Sequence, residues 1–409
     1  MQMNNILRNH SIFLCALLVV SGCGIRTGRM VAEVNILLDS LRTVYAPDTR
    51  IALWDVTVAA TSGTIQLTGE VDSREAYKVI IKSIDDHFPE VQNELVLLPE
   101  GGTGQVVNGL VNNSVAHLRR EPSSKTELVN QALLGTPVRI LKEEDEKLLV
   151  QVADGHLGWV NISEVHPMDP SELTTYKESE KIIFRAQYGF SYSEPDENSL
   201  PVADLVIGCI LPVVAGEPDF FQVAYPDGRL AWVKREEVIQ AEEVFHKTTL
   251  QEGVVKTVLE FHGIPYLWGG TSSKAIDCSG LISNVFFMNG IQLPRDSDQQ
   301  SRCGRVITED FDPEGLEAGD LLFFGSRATD TLPERVTHAA IYLGDGEFIH
   351  AAGYRDRVGI NSMDSTRANF IPDYPEIFVR ATRIIGEEAA GFEPITENRF
   401  YREIINTQE

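Results

Sequence analysis

Apolar and polar positions divide the chain into an N-terminal leader and several folded units. An apolar run over residues 12–20, between Arg8 and the small residues Ser21 and Gly22, is too short for a comfortable membrane span. Val31, Val34, Leu37, Leu38 and Leu41 then recur at helical spacing. Alternating segments predict strands over 51–60 and 64–71, a helix over 73–88 and a strand over 91–98. Residues 31–100 thus read as one αββαβ unit. Gly101, Gly102 and Gly104, followed by Asn108-Gly109, predict a flexible linker over 101–112.

The next stretch contains a repeat. At an offset of 73, Glu121-Pro122 falls on Glu194-Pro195, Gly135 on Gly208, Asp154-Gly155 on Asp227-Gly228, and Trp159-Val160 on Trp232-Val233. Each copy has short alternating segments, an Asp-Gly turn and one tryptophan, which predicts two small β-barrels, over 113–170 and 171–245, with the tryptophans in their cores.

Residues 246–385 carry the candidate chemistry. A helix over 254–261 stops at His262-Gly263, and a loop leads to Asp277-Cys278-Ser279-Gly280. Apolar positions at Leu281, Ile282, Val285, Phe286 and Met288 predict an amphipathic helix ending at Asn289-Gly290, with Asp277 as N-cap. Cys278 would then lie in the first turn, where unpaired N–H groups and the helix dipole favour a thiolate, as a nucleophile needs. The alternative is a small buried hydrophobe.

Two apolar strands flank Gly344-Asp345-Gly346, with His338 in one arm and His350 in the other. The expected loop holds three residues with a glycine bulge, which sets Ala340 opposite His350 and Leu343 opposite Glu347, so both histidines share a face; a two-residue Asp-Gly turn would separate them. A thiol, a base and a group that orients the base are the parts of cysteine acyl transfer. Zinc held by one cysteine and two histidines is the rival, without a second close-spaced ligand pair to support it. The acidic segment 386–409 predicts a loosely packed or mobile tail.

Composition narrows the choices. The chain has 409 residues, 43% hydrophobic, enough for several ordinary cores. A formal charge of −25 argues against nucleic acid and leaves any anionic substrate to local donors.

The segments Asp277-Cys278-Ser279-Gly280, 316–324, 337–344 and 348–350 resemble the NlpC/P60 cysteine peptidases, papain-like enzymes acting on bacterial cell-wall peptides. The resemblance spans about residues 246–385. It implies Cys278 as nucleophile, His338 as base, His350 as third polar residue and Tyr266 at the oxyanion site. It also implies substrate contacts from Asp277, Ser279 and Ser297, and no metal or cofactor. The repeats resemble bacterial SH3 (SH3b) domains. Two such barrels ahead of an NlpC/P60 domain resemble the γ-D-glutamyl-L-diamino acid endopeptidases, in which a first-barrel acid pairs with the free amine of a terminal L-alanine. Glu127 matches that acid, and His156 stands where the group often has tyrosine, as a second amine contact.

Residues 31–100 resemble a BON domain, implying attachment to envelope surfaces or a spacer. Val20-Ser21-Gly22-Cys23 resembles a lipoprotein cleavage box, implying a signal peptide over 1–22, acylated Cys23, a tether over 23–30 and a membrane anchor. Gly24 after the cysteine points to the outer membrane, with the protein facing the periplasm. Cys209, Cys278 and Cys303 then remain, and three thiols cannot all pair.

The expected fold class is therefore α+β and multidomain: a papain-like catalytic domain behind two SH3b barrels and a BON-like unit. The expected activity is cleavage of murein peptides at the γ-D-glutamyl-L-diamino acid bond. A broader hydrolase of intact wall and a catalytically idle wall-binding lipoprotein are the alternatives.

Overall fold

The computed structural model describes residues 26–61, 63–100, 107–388 and 390–405. The expected leader and lipidated Cys23 lie outside the described residues. The chain divides into two compact units, residues 1–103 and 104–409.

The N-terminal unit has the expected αββαβ order, its first helix spanning 26–45. Strand Thr64–Val71 is central, antiparallel to Trp54–Thr61 and parallel to Val91–Leu97. A parallel neighbour needs a crossover, and helix Arg74–His87 supplies it. That helix starts where the Ser73 hydroxyl accepts the Ala76 N–H at 3.2 Å. Its stripe of Ala76, Ile80 and Ile84 closes a core with Val34, Leu38 and Leu67.

In the second unit each repeat forms a seven-stranded sheet, the first from Gly109–Val111 to Val165–Pro167 and the second from Lys181–Phe184 to Val238–Gln240. The offset of 73 persists in fine detail. Bridging pairs Arg119–Trp159 and Tyr192–Trp232 coincide, as do the irregularities at Ile140/Lys142 and Val213/Ala215 and the positive-φ glycines Gly155 and Gly228.

Two expectations fail here. Both tryptophans are half-buried and neither belongs to a core, because each flanks a buried valine (Val160 and Val233) on an alternating strand and so points outward. Residues 107–112, assigned to a flexible linker, instead begin the first barrel. Val107 and Leu110 are fully buried, and the Asn108 side chain bonds both the N–H and the carbonyl of Ile140. Gly109 packs closely, since a Cβ there would lie 2.9 Å from Ile140 Cδ1 and the Ile140 side chain would have to shift.

The C-terminal part is built on a six-stranded sheet ordered Arg305–Thr308, Phe378–Arg383, Leu321–Ser326, Arg335–Gly344, Glu347–Ala352 and Arg357–Ser362. Helix Cys278–Phe287 packs on strand Arg335–Gly344. It is not amphipathic as expected. Ser279, Ser283 and Asn284 are buried along with the apolar stripe, because the first barrel and the 292–301 segment cover its polar side.

The hairpin loop also differs from the expectation. Asp345 and Gly346, both at positive φ, form a two-residue turn, and a bulge between Tyr342 and Gly344 absorbs the extra residue. The pairs Tyr342–Phe348 and Ile341–Ile349 are those that a three-residue loop would have set, so the histidines still share a face. Nor is the tail loose. Ile395, Phe400, Tyr401, Ile404 and Ile405 are buried, and Asn398 donates to the Ala153 carbonyl of the first barrel at 3.0 Å.

Candidate active site

Asp277 fixes the start of the cysteine helix. Its Oδ1 accepts the Gly280 N–H at 2.7 Å and its Oδ2 accepts that of Gly269 at 2.8 Å, which ties the preceding loop to the helix. Gly280 has no room for a side chain, as a Cβ would lie 2.1 Å from the Gly270 carbonyl oxygen. Cys278 and Ser279 thus supply the first helical N–H groups, which have no partner inside the helix.

Arg295 locks this turn from below. Its buried guanidinium donates to Asp277 Oδ1 at 3.0 Å and Oδ2 at 2.7 Å, to Ser279 Oγ at 2.8 Å, and to Asn130 Oδ1 of the first barrel at 2.8 Å. Asp277 and Ser279 were expected to touch substrate. Their side chains are engaged in this buried network, as a buried arginine requires. Ser297 opens helix Ser297–Gln300, and Gln300 donates to the Ser279 carbonyl at 3.1 Å and to Ser283 Oγ at 3.0 Å.

The ladder between strands Arg335–Gly344 and Glu347–Ala352 runs from the turn to Ile341–Ile349. Beyond it, the N–H of Ala339 is directed at the Cys278 sulfur. Next to Ala339, His338 Nε2 lies 2.6 Å from His350 Nδ1. His350 Nε2 lies 2.9 Å from Asn361 Oδ1, and Asn361 Nδ2 donates to the Asn369 carbonyl. Tyr374 Oη lies 3.4 Å from His350 Nδ1, and Phe324 and Phe348 wall the pair.

The electrostatics are those of a dry site. Burial, then the neighbouring Asp277 carboxylate, push the Cys278 thiol up to about 12, against the N–H groups of Ala339 and Ser279 and the Arg295 charge. Burial and the charge of His350 pull His338 down to about 3, and burial pulls His350 down to about 4 despite its bond to Asn361. Cys278 therefore rests as a neutral thiol and His338 and His350 as neutral imidazoles, which overturns the expectation that the helix start ionises the sulfur. The N–H group of Ser279 at the helix start favours the thiolate, but desolvation and Asp277 outweigh it. Tyr266 is half-buried near Cys278, and burial holds its phenol well above the usual range, so it remains a hydrogen-bond donor.

The first barrel also reaches this face. Glu127 Oε1 accepts the Trp268 indole N–H at 2.9 Å, and Oε2 accepts Arg120 Nε at 2.9 Å and Nη2 at 2.6 Å. Partial burial raises the carboxyl, but these donors and the guanidinium charge outweigh it and hold the group below the usual glutamate range. His156 is buried, its Nδ1 3.9 Å from Asp296 Oδ2.

Sequence reasoning passed over Arg295, Asn361, Trp268 and Asn130. An arginine between Pro294 and Asp296, next to an apolar segment, was the one usable signal, since a buried guanidinium must find a carboxylate.

Residues 263–369 match the NlpC/P60 family, and residues 118–165 match the bacterial dipeptidyl-peptidase Sh3 domain. The chain carries an NlpC/P60 domain together with a bacterial SH3 domain. It is 29% identical over 269 residues to dipeptidyl-peptidase 6 of Lysinibacillus sphaericus, covering 63% of this chain and 92% of that one. It is 27% identical over 279 residues to the γ-D-glutamyl-L-lysine dipeptidyl-peptidase of Bacillus cereus, covering 64% and 77%. The crystal structure of an NlpC/P60 family protein from Bacillus cereus shares the fold, with a TM-score of 0.58 at 24% identity over 68% of this chain and 99% of that one.

Proposed function

We propose that this protein is a cysteine peptidase of murein peptides that cuts between γ-D-glutamate and the L-diamino acid when the terminal L-alanine amine is free. The carrying observation is the directed hydrogen-bond line His338–His350–Asn361 beside a cysteine at a helix start. As the Cys278 sulfur attacks the γ-carbonyl carbon, its proton passes to His338 Nδ1. The tetrahedral oxyanion is met by the first helical N–H groups and the Tyr266 hydroxyl. On collapse the C–N bond breaks, His338 returns the proton to the departing amine, and a thioester remains. Water then adds with His338 again as base, releasing the acyl dipeptide and restoring the thiol.

The bond from Trp268 to Glu127 supports the free-amine requirement, because it ties a barrel carboxylate to the loop that leads to Cys278. A charged amine rewards that carboxylate, and an acylated one does not. In Glu127→Ala, the preference for L-Ala-γ-D-Glu-L-Lys over its N-acetylated form should fall by about 10- to 100-fold, the worth of one charge-assisted hydrogen bond. Ratios of kcat/KM on the two peptides read this directly, and an unchanged ratio sinks the amine site.

One observation favours a broader hydrolase of intact wall. Arg120 already pairs with Glu127, so an amine must share the carboxylate. Release of peptides from purified sacculi at a rate comparable to that from free peptide would support that reading.

The cleavage-box segment ending at Cys23 supports lipid anchoring at the envelope, facing the periplasm and at the outer membrane. The αββαβ order of the first unit supports a BON-like spacer or envelope-attachment module. Cys23→Ser should move the protein from the membrane pellet to the soluble fraction; a variant that stays in the pellet contradicts the anchor.

A further inference from the structure

We propose that Asn361 is a positioning residue that fixes which nitrogens of the His338–His350 pair carry protons. Hydrogen-bond roles decide where the protons sit. The Asn369 carbonyl can only accept, so the Asn361 atom facing it is the NH₂ group, and the Asn361 oxygen faces His350. That oxygen also accepts the Tyr354 hydroxyl at 3.3 Å. An acceptor 2.9 Å from His350 Nε2 requires the proton on Nε2. The lone pair of His350 is then on Nδ1, and a neutral His338 meets it at 2.6 Å only by donating from its own Nε2. His338 is left with a bare Nδ1, the only nitrogen of the pair able to take a proton from sulfur.

The reverse pattern shows what Asn361 prevents. With the proton on His350 Nδ1, that ring donates to His338 Nε2, and His338 carries its own proton on Nδ1. Such a pair has the same atoms and the same charge, yet its base cannot accept the thiol proton. It would also set a bare His350 Nε2 against the Asn361 oxygen in a site closed to water, where two facing acceptors are costly. Asn361 is itself fully buried on strand Arg357–Ser362. It pairs with Phe348, two residues before His350, and so shares the histidine's face. It acts through His350 and has no role in contacting substrate.

The test uses the whole chain labelled with ¹⁵N-histidine, with His338→Gln and His350→Gln variants to assign the two rings. In the wild type both rings should show the Nε2–H form near neutral pH. Asn361→Leu, which keeps the volume and removes the acceptor, should show a mixed or reversed pattern. Asn361→Asp keeps an acceptor facing His350 while giving up the bond to the Asn369 carbonyl, so its folded form should be less stable but retain the wild-type pattern. On the peptide substrate kcat should fall by about 10- to 100-fold in Asn361→Leu, as when outer-shell histidine partners are lost, with KM within about twofold. Asn361→Asp should recover most of it.

A folded Asn361→Leu protein with unchanged tautomers or unchanged kcat overturns the proposal. So does a wild-type His350 found in the Nδ1–H form, whether or not the leucine variant folds. The kinetic arm rests on the peptidase reading. If the tautomers shift as expected while the wild type cleaves no murein peptide, it is that reading that fails.

Discussion

Cys278→Ala should abolish peptide cleavage while leaving a folded protein, whereas Cys303→Ala should retain activity. The difference follows from surroundings. Cys303 is fully buried, its sulfur donating to the Gly391 carbonyl at 2.9 Å, and burial pushes its thiol up to about 12. Cys278 has an equally raised thiol, but it lies at a helix start against Ala339, with His338 next in the chain. Its reactivity therefore depends on the base. Removing the nucleophile should lower kcat by on the order of 10⁵- to 10⁶-fold, as for members of a catalytic set that act as a unit. Because the members act together, His338→Gln should cost nearly as much, and the double variant little more. Steady-state rates on a γ-D-glutamyl tripeptide check this. Residual turnover above about one per cent in Cys278→Ala would remove the sulfur from the chemistry.

The second large effect is on stability. Arg295→Met leaves the Asp277 carboxylate buried without its guanidinium. Breaking one partner from a buried pair costs about 3–5 kcal/mol. The side chains are 1% and 9% exposed, so water cannot substitute. The urea midpoint should fall accordingly, and activity with it, because Asp277 also caps the cysteine helix. Asp277→Asn combined with Arg295→Met removes the uncompensated charge and should recover a good part of the loss. Equal midpoints for wild type and Arg295→Met would mean that the pair contributes nothing to the cap.

Local pattern made much of this architecture legible. The repeat offset of 73, the N-cap at Asp277 and the strand period around His338 and His350 depend on neighbours in sequence, and each can be read without the fold. What was hidden depends on distant partners. Asn130 meets Arg295 across 165 residues and Trp268 meets Glu127 across 141, separations no local pattern encodes. The tail 386–409 reads as acidic, yet its few apolar residues fill a groove that exists only once barrel and catalytic domain are side by side. Trp159 and Trp232 misled because residue type outweighed strand phase. Their buried neighbours Val160 and Val233 already said that the indoles point outward. The ionisation of Cys278 was misread for a related reason, since the helix start is local, whereas desolvation comes from the whole fold.

On the proposed mechanism Cys278 forms a thioester by giving its proton to His338. Rapid acid quenching during turnover of L-Ala-γ-D-Glu-L-Lys, followed by digestion and mass spectrometry, tests it most directly. The account predicts an L-alanyl-γ-D-glutamyl adduct on the peptide containing Cys278, absent in His338→Gln. An active sample whose adduct sits on another residue, or whose Cys278 peptide stays unmodified throughout a measured burst of product, would contradict it.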